Sequence, residues 1–484
     1  MISNLKDITE KYDIVIGIEC HVQLATKTKL FSPADNDALD AAPNTKVNQI
    51  DFGFPGVLPV LNEKAVELAI RAGIALQAEI PRVSRFERKH YFYPDLPFGY
   101  QITQLAEPVI VGGSVEIALD DGVKAIRIHH AHMEMDAGKL THPSGKDYSL
   151  VDLNRAGTPL IEIVSEADMT SPQEAKAYAS ALYQLMTFAG VTYGDLYHGN
   201  MRFDVNLSLK SKGESEFGTR TETKNLNSFR SVERAAEFEA IRQANLLEKG
   251  EKITQETRGW NEDKGQTFSQ RSKEDAHDYR YFPDADLPPI VIDEAHVRRV
   301  RDNMPLLPRQ FAADFAELKL QESVLNRLLA DARYAQFIYD IHRDQGAEIA
   351  GRVAAWWTAL PRNTENDHLD VRSIPQQYYT ELYELAVSGA ISANSSEQLF
   401  KDMIVSRQPP KRLAEEHGLL QSNDTAEIEA IVDTVLADPA SEKALADIRS
   451  GNDKAIGYLV GQAMKQSRGK ANPAMLQQII RKKI

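Results

Sequence analysis

An alternating run near the start of the sequence constrains the fold more than any other feature. In residues 13–24, DIVIGIECHVQL, every even position is apolar, whereas the odd positions include Glu19 and His21. Side chains on a β-strand point alternately to its two faces, so this run predicts a strand with one apolar and one polar face. Glu19 and His21 then lie side by side on the polar face, while Cys20 lies in the core as an inert packing residue.

Three further runs divide their side chains in the same way. The strand-like segment 201–209 places Arg202, Asp204 and Asn206 on one face. Segments 125–136 and 219–227 add two more polar rows, which consist of His130, His132, Glu134 and Asp136 and of Arg220, Glu222 and Lys224. A single row of this kind is typical of an ordinary antiparallel sheet with one face in water. Several strands that combine carboxylate, imidazole, amide and ammonium groups favour a shared polar site.

These residue types indicate phosphate chemistry. Carboxylates together with a histidine are suitable ligands for Mg²⁺ or Mn²⁺, and a lysine can hold a phosphate as a point charge. The combination suggests phosphoryl transfer from a nucleotide. The sequence contains no P-loop, no dinucleotide-binding glycine motif, no H-E-x-x-H motif and no G-x-S-x-G motif, which argues against the enzyme classes that depend on them.

Charge and composition limit the cellular setting. The 484 residues carry a net charge of -14, which argues against a protein whose whole surface binds nucleic acid or an anionic membrane. A single cysteine allows no internal disulfide and no zinc site of several thiolates, and it suits a reducing compartment. The first residues lack the features of a targeting segment, and no apolar run approaches the roughly 20 residues that cross a bilayer. We expect a cytoplasmic protein without a membrane partner.

Periodicity predicts an α+β protein in three parts. Residues 1–293 combine short strands with a few helices, as expected for a mostly antiparallel sheet. Apolar residues three and four apart indicate a helical domain over residues 294–407. Pro409 and Pro410 interrupt that pattern, and short helices then predict a small all-α tail domain over residues 408–484.

Long motifs in a fixed order identify a family resemblance. They are VIGIECHVQLATKTKLFSP, FPGVLPVLNEKAVELAIRAG, RKHYFYPDLPFGYQITQ, DAGK, YSLVDLNRAGTPLIEIVSE, MRFDVNLSL, TKNLNSF, HDYRYFPDADLPP and GYLVGQAMKQSRGKANPAMLQQII. With these motifs the chain resembles, nearly end to end, the B subunits of the bacterial aspartyl/glutamyl-tRNA amidotransferase. The match is dense up to about residue 290, sparse in the helical region, and specific again at the end.

The resemblance implies a fold and a reaction. The fold is a cradle-shaped catalytic domain, a helical domain and a YqeY-type tail domain. The reaction uses ATP to convert the side-chain carboxylate of misacylated Asp-tRNA(Asn) or Glu-tRNA(Gln) into an acyl phosphate, which ammonia then displaces. An amidase A subunit supplies the ammonia from glutamine, and a small C subunit joins the other two.

The resemblance also assigns roles to particular residues. The implied catalytic set is Glu19, His21, Glu134, Asp204 and Lys224, of which Glu19, His21 and Glu134 hold Mg²⁺. The implied nucleotide- or substrate-binding residues are Arg88, Lys89, Tyr93, Arg202, Asn206, Asn225 and Asn227.

Two positions depart from the family pattern. Many members carry two acidic residues before D-A-G-K, whereas Met135 follows Glu134 here. Some members carry a zinc-binding C-x-x-C where this chain has Asn48 and Asp51, so we expect no zinc. Met135 leaves open the alternative of a non-catalytic tRNA-binding scaffold with a degenerate cradle. A stand-alone ligase that uses free ammonia on a small acid is a third alternative, disfavoured by the basic tail.

The end of the chain is locally basic. Residues 451–484 carry a net charge of +6, and phosphate contacts dominate tRNA affinity. The expected tRNA-binding residues are Lys465, Arg468, Lys470, Arg481, Lys482 and Lys483. The alternative is that a basic C-terminal helix only complements its own dipole.

Overall fold

A computed structural model describes residues 4–272, 278–360, 371–421, 425–450, 452–467 and 471–484. The chain divides into two compact units, Met1–Pro308 and Arg309–Ile484. A mostly antiparallel sheet lies in the first unit and helices make up the second, which confirms the predicted α+β class. Among the described residues, every helix is too short or too polar to cross a membrane.

The strands of the described residues all lie in the first unit. They are β1 (Tyr12–Gln23), β2 (Val83–Ser84), β3 (Glu87–His90), β4 (Tyr100–Thr103), β5 (Ile110–Val111), β6 (Ser114–Leu119), β7 (Gly122–Met135), β8 (Lys139–Thr141), β9 (Leu150–Asp152), β10 (Pro159–Ser165), β11 (Met201–Ser211), β12 (Thr221–Leu226), β13 (Glu256–Asn261), β14 (Gln266–Ser272), β15 (Phe282–Pro283) and β16 (Ile290–Val291).

Nine strands form the main sheet, in the order β14-β13-β12-β11-β1-β10-β7-β5, with β6 also paired to β7. Its described pairings are antiparallel except for the parallel pair of β12 and β13. Smaller sheets join β15, β3 and β4, then β16 and β2, then β8 and β9. The alternating strand β1 therefore lies inside the sheet, between β10 and β11.

The helices of the first unit cover the apolar face of this sheet. They are α1 (Leu5–Lys11), α2 (Glu63–Ala75), α3 (Pro172–Phe188), α4 (Phe229–Glu248) and α5 (Glu294–Asp302). Tyr178 of α3 and Val232 of α4 belong to the same buried cluster as Ile16 and Phe203 of the sheet. Cys20 is also fully buried in that cluster. Burial of one sheet face in this way leaves the opposite face of β1 for polar side chains.

The second unit is helical wherever it has regular structure. Its helices are α6 (Pro308–Asp314), α7 (Glu322–Leu328), α8 (Ala332–Gln345), α9 (Ala347–Ala359), α10 (Gln376–Val387), α11 (Ala393–Ser406), α12 (Pro410–Glu416), α13 (Thr425–Ala437), α14 (Glu442–Arg449), α15 (Ile456–Gln466) and α16 (Pro473–Lys483). Short 3-10 helices lie at Phe315–Leu318, Val371–Ser373, Pro439–Ser441 and Asp453–Ala455.

The first unit ends later than the predicted boundary at residue 293. Helix α5 lies beyond that boundary, yet it packs against α2 and buries Val300 in the core of the first unit. The predicted division between residues 407 and 408 stays a prediction. Helix α12 contacts α10 and α11, whereas α13 and the helices after it share a separate apolar cluster around Val432, Leu459 and Leu476.

Candidate active site

Strand pairing gathers the polar side chains of four strands. Glu19 of β1 lies opposite Asp204 of β11. His21 lies between Arg202 on β11 and Glu162 on β10. Glu162 in turn lies opposite His132 of β7. Because neighbours in a sheet row have Cβ atoms about 5 Å apart, residues distant in sequence meet on one polar face.

The first group of ligand-type side chains surrounds His21. Its Nε2 lies 3.4 Å from Glu162 Oε2 and 3.6 Å from Glu134 Oε1. His132 Nε2 approaches the same two carboxylates, at 3.3 Å from Glu162 and 3.8 Å from Glu134. One ligand atom from each of His21, Glu134 and Glu162 lies within 4.8 Å of the others. This spacing suits a common cation.

The carboxylates set the protonation of this group. Burial alone would lower the pKa of His21, but the hydrogen bond and charge of Glu162, aided by Glu134, raise it to about 9. Burial is likewise outweighed at His132, where Glu134 and Glu162 raise the pKa to about 9. Burial would raise the pKa of Glu162, yet hydrogen bonds from both histidines hold it well below its usual value. A divalent cation would compete with the imidazole protons for these carboxylates.

The second group lies beside the first and contains Glu19, Asp204 and Glu222, again with ligand atoms within 4.8 Å of one another. Lys224 Nζ lies 3.1 Å from Asp204 and 2.9 Å from Glu222. Asn206 donates its Nδ2 to Glu19 Oε1 at 2.9 Å. Three carboxylates and one ammonium leave a local surplus of negative charge.

The surplus of negative charge helps to raise two pKa values in this group. Burial, followed by the charges of Glu162, Glu222 and Asp204, raises the pKa of Glu19. Burial would lower the pKa of Lys224, but Asp204 and Glu222 raise it above its ordinary value. Carboxylates that repel one another in this way favour a bound cation.

The predicted ligand set Glu19, His21 and Glu134 is divided between these groups. His21 and Glu134 fall in the first, and Glu19 falls in the second. Sequence reasoning missed Glu162, which completes the first group, although it is the one charged residue of PLIEIVS. Glu222 was on the predicted polar row but had no assigned role.

The other predicted binding residues have distinct surroundings. Asn225 adopts a left-handed backbone, φ 61°, and donates its N–H to Asp204 Oδ1 at 2.8 Å. Asn227 is exposed. Arg202 forms an ion pair with Asp136 at 3.2 Å. Asn206 contacts the second group directly, as described above.

Arg88, Lys89 and Tyr93 lie on β3 and just after it, outside both groups. Arg88 forms ion pairs of 2.8 Å with Asp284 and with Asp286. Lys89 Nζ lies 4.9 Å from the centre of the Tyr279 ring. Tyr93 is exposed. Arg88 and Lys89 belong to a separate small sheet, Tyr93 follows it, and the assignment of all three to nucleotide or substrate stays a prediction.

Met135 lies on the other face of β7 from Glu134. Its side chain is buried in the main apolar core, as is that of Met133. Because strand side chains alternate, a side chain at position 135 points away from both ligand groups. Met135 therefore removes no ligand from the first group.

Asp51 is engaged in a buried hydrogen-bonded turn. Its carboxylate accepts the Asn48 N–H and the Ser32 hydroxyl, each at 2.8 Å, and lies 3.2 Å from the ammonium of Lys29. The side chain of Lys29 is fully buried. The turn is thus closed by an internal ion pair.

Of the predicted tRNA-binding residues, Lys465 lies on helix α15, and Arg481, Lys482 and Lys483 lie on helix α16. Lys465 and Lys482 are exposed. Arg481 forms an exposed ion pair with Asp453 at 3.2 Å, and Lys483 forms one with Asp433. Arg468 and Lys470 lie outside the described residues, so the structure places only part of the predicted tRNA-binding set.

Comparison with known proteins identifies the family of the chain. Residues 14–298 match the family model described as the GatB/GatE catalytic domain, and residues 343–484 match that described as the GatB domain. The chain is 44% identical to the B subunit of the aspartyl/glutamyl-tRNA(Asn/Gln) amidotransferase from Neisseria meningitidis, covering 98% of this chain and 99% of the relative. It is 45% identical to the protein of the same name from Alcanivorax borkumensis and 43% to that from Persephonella marina, over 98% and 97% of this chain and 99% of each relative.

These matches define the class of protein: a catalytic domain of the GatB/GatE type is followed by a GatB domain. The chain belongs to the family of aspartyl/glutamyl-tRNA amidotransferase B subunits. The resemblance inferred from the motifs is confirmed.

Proposed function

We propose that this chain is the ATP-using subunit of a glutamine-dependent amidotransferase. It activates the side-chain carboxylate of Asp or Glu on a misacylated tRNA and passes it to ammonia, giving Asn-tRNA(Asn), Gln-tRNA(Gln) or both. The observation that carries the proposal is the pair of adjacent ligand groups on the polar face of β1, β7, β10, β11 and β12. Phosphoryl transfer needs positioned positive charge, which divalent cations held by these carboxylates would supply.

The donor set fits Mg²⁺. Both groups offer carboxylate oxygens, the first adds one imidazole, and neither contains a thiolate, which is the donor chemistry of a hard divalent ion. The buried Oδ1 of Asn206, next to Glu19, has no hydrogen-bond partner among the described residues, so it can accept from a water of hydration. His21, Glu134 and Glu162 would hold one ion, and Glu19, Asp204 and Glu222 another. Mg²⁺ held by these residues would neutralise charge on the phosphate oxygens of ATP.

The protein's own residues then supply position rather than acid–base chemistry. The acceptor is already a carboxylate anion, so attack on the terminal phosphorus of ATP requires no base. The carboxylate oxygen forms a bond to that phosphorus, ADP leaves, and ammonia later displaces phosphate from the acyl carbon. Lys224, fixed between Asp204 and Glu222, adds a cation for phosphate oxygens. Strand backbones hold these groups rigidly, which favours catalysis by orientation.

The partners follow from the same assignment. We propose an amidase A subunit as the ammonia source, a small C subunit, and misacylated tRNA held partly by the basic tail. We propose no zinc, because the position offers no thiolate and the Asp51 carboxylate is already engaged with the Asn48 N–H, the Ser32 hydroxyl and the Lys29 ammonium. The setting is the cytoplasm. The non-catalytic scaffold rested on Met135 and is not favoured, since that side chain lies in the core.

Two substitutions test the proposal in the assembled enzyme with misacylated tRNA. Glu19→Gln and His21→Ala should each abolish tRNA-dependent release of ADP and amide formation, while glutamine hydrolysis by the amidase persists. Glu166→Gln is the matched control, because Glu166 lies just beyond the same sheet and outside both ligand groups. ADP release at the wild-type rate in Glu19→Gln or His21→Ala would overturn the assignment.

A further inference from the structure

Two arginines share a single carboxylate beside the candidate active site. Asp136 Oδ2 accepts Nη2 and Nε of Arg155 at 2.7 and 3.2 Å and Nη2 of Arg202 at 3.2 Å. One anion therefore balances two cations, and the arginine pair carries a surplus positive charge.

The arginine pair borders the first ligand group. Arg202 lies opposite His21 across the strand pair β1 and β11, and Arg155 lies in the turn that leads into β10. Both side chains keep about a third of their surface exposed, 32% for Arg155 and 29% for Arg202. The buried Nε of Arg202 has no hydrogen-bond partner among the described residues. The exposed part of the two side chains, rather than this buried Nε, can therefore reach an additional anion.

A closed loop beside the arginines presents an aromatic ring. Asn200 N–H donates to the Asp195 carbonyl at 2.8 Å, and Asp195 N–H donates to Asn200 Oδ1 at 3.1 Å. Gly199 of this loop lies next to both arginines, since a Cβ added there would lie 3.8 Å from Arg202 Cδ and 3.9 Å from Arg155 Nη1. Two residues earlier, the ring of Tyr197 is 87% exposed. A large exposed ring on a hydrogen-bonded loop is suited to stack on a planar ligand.

We propose that the Arg155–Arg202 pair binds a phosphodiester of the unpaired acceptor end of the misacylated tRNA, and that Tyr197 stacks on a neighbouring base. The inference rests on the proposed function, which requires the aminoacyl end to enter the site. Guanidinium groups match phosphate oxygens with paired hydrogen bonds, and single-stranded bases stack readily on aromatic rings. ATP offers the same phosphate chemistry and a planar adenine, so the experiments below measure the effect on tRNA and on ATP separately.

The charge balance suggests how to test the pair without dismantling the fold. Asp136 keeps Arg202 when Arg155 is replaced, so Arg155→Gln leaves no buried carboxylate unpaired. Arg127→Gln is a matched control, because Arg127 forms a comparable two-bond ion pair with Asp168 elsewhere in the same unit. Arg155→Lys keeps the charge but loses the paired hydrogen bonds.

Steady-state kinetics of the assembled enzyme, with ammonium chloride as the nitrogen donor, separate tRNA binding from ATP binding. We expect Arg155→Gln and Tyr197→Ala each to raise KM for misacylated tRNA about tenfold. KM for ATP should stay within about twofold, and Arg155→Lys should fall between wild type and Arg155→Gln. Arg127→Gln should match wild type.

A modified substrate identifies the phosphate. With the wild-type enzyme, a neutral methylphosphonate at the terminal phosphodiesters of the tRNA should raise KM for tRNA about as much as Arg155→Gln does. With the Arg155→Gln enzyme, the same modification should raise KM for tRNA little further. Unchanged KM for tRNA in Arg155→Gln, or full additivity with the methylphosphonate, overturns the inference. A raised KM for ATP alone also overturns it and assigns the pair to the nucleotide. Absence of tRNA-dependent ATP use in wild type would instead refute the proposed function.

Discussion

Glu162 is the carboxylate nearest to both histidines of the first ligand group, at 3.4 Å from His21 and 3.3 Å from His132. We predict that Glu162→Gln weakens Mg²⁺ binding at least about tenfold, since a charged ligand becomes neutral. The substitution should also change how many protons are released on binding. The second effect distinguishes the role proposed here from a general loss of negative charge.

The size of the proton effect follows from the His21 pKa. A rise from 6.5 to about 9 means that the folded protein prefers the protonated imidazole by about 3 kcal/mol. Glu162 contributes more of this preference than Glu134, so we expect about 2 kcal/mol to be lost in Glu162→Gln. At pH 8 the wild-type site should release most of the His21 proton per ion bound, together with part of the His132 proton, because the same carboxylates raise both pKa values to about 9. The variant should release markedly less.

Titration calorimetry in two buffers of different ionisation enthalpy measures both quantities. Wild-type affinity should rise with pH up to about 9, and Glu162→Gln should show weaker binding with a flatter pH dependence. Glu166→Gln should behave as wild type. If Glu162→Gln binds Mg²⁺ with unchanged affinity and unchanged proton release, the three-residue ligand group is wrong.

Four further predictions concern the stability of the candidate active site, the buried cysteine and the basic tail. Without metal, the stabilisation from the raised His21 pKa is complete below pH 6.5 and lost as pH rises through about 9, so the thermal midpoint in EDTA should fall over that range. Lys224→Gln should lower the thermal midpoint in EDTA, because it leaves Asp204 and Glu222 without their cation. Added Mg²⁺ should then raise the midpoint of this variant more than that of wild type, and an equal rise in both would refute this. Cys20→Ala should cost about 1 kcal/mol of stability with amidation intact, whereas rapid labelling of the native thiol with loss of activity would contradict its burial. Removal of residues 411–484, or charge reversal at Lys465, should flatten the salt dependence of log tRNA affinity by about 0.7 to 0.9 for each phosphate that is no longer bound; an unchanged slope would place the tRNA elsewhere.

The strands of the site were predictable because their pattern is local. Alternation alone placed Glu19 and His21 together on the polar face of β1, and the paired strand β11 repeated it with Asp204 and Asn206. Glu162 escaped notice because its neighbours on the same face, Leu160 and Val164, are apolar. In a nearly continuous apolar run, polar and apolar residues do not alternate, so the sequence does not show which face of the strand is polar.

Contacts between segments that are distant in sequence determine the parts of the site and of the first unit that the local sequence pattern does not predict. The register of β1 with β10 brings Glu162 to His21, and no sequence period encodes which strands become neighbours. The same holds for the first unit's end at Pro308, which depends on the packing of Val300 of α5 in the main core. The pairing of Arg155 with Asp136 likewise joins a turn to the end of β7.

The central claim is that the tRNA-borne carboxylate is activated by phosphorylation, and an oxygen label tests it most directly. Misacylated tRNA whose side-chain carboxylate carries ¹⁸O would be supplied to the assembled enzyme with ATP and ammonium, and the inorganic phosphate analysed by mass spectrometry. The account predicts one labelled oxygen in phosphate for each amide formed, because the bond broken by ammonia joins the acyl carbon to the bridging oxygen. Amide formation with unlabelled phosphate would contradict it.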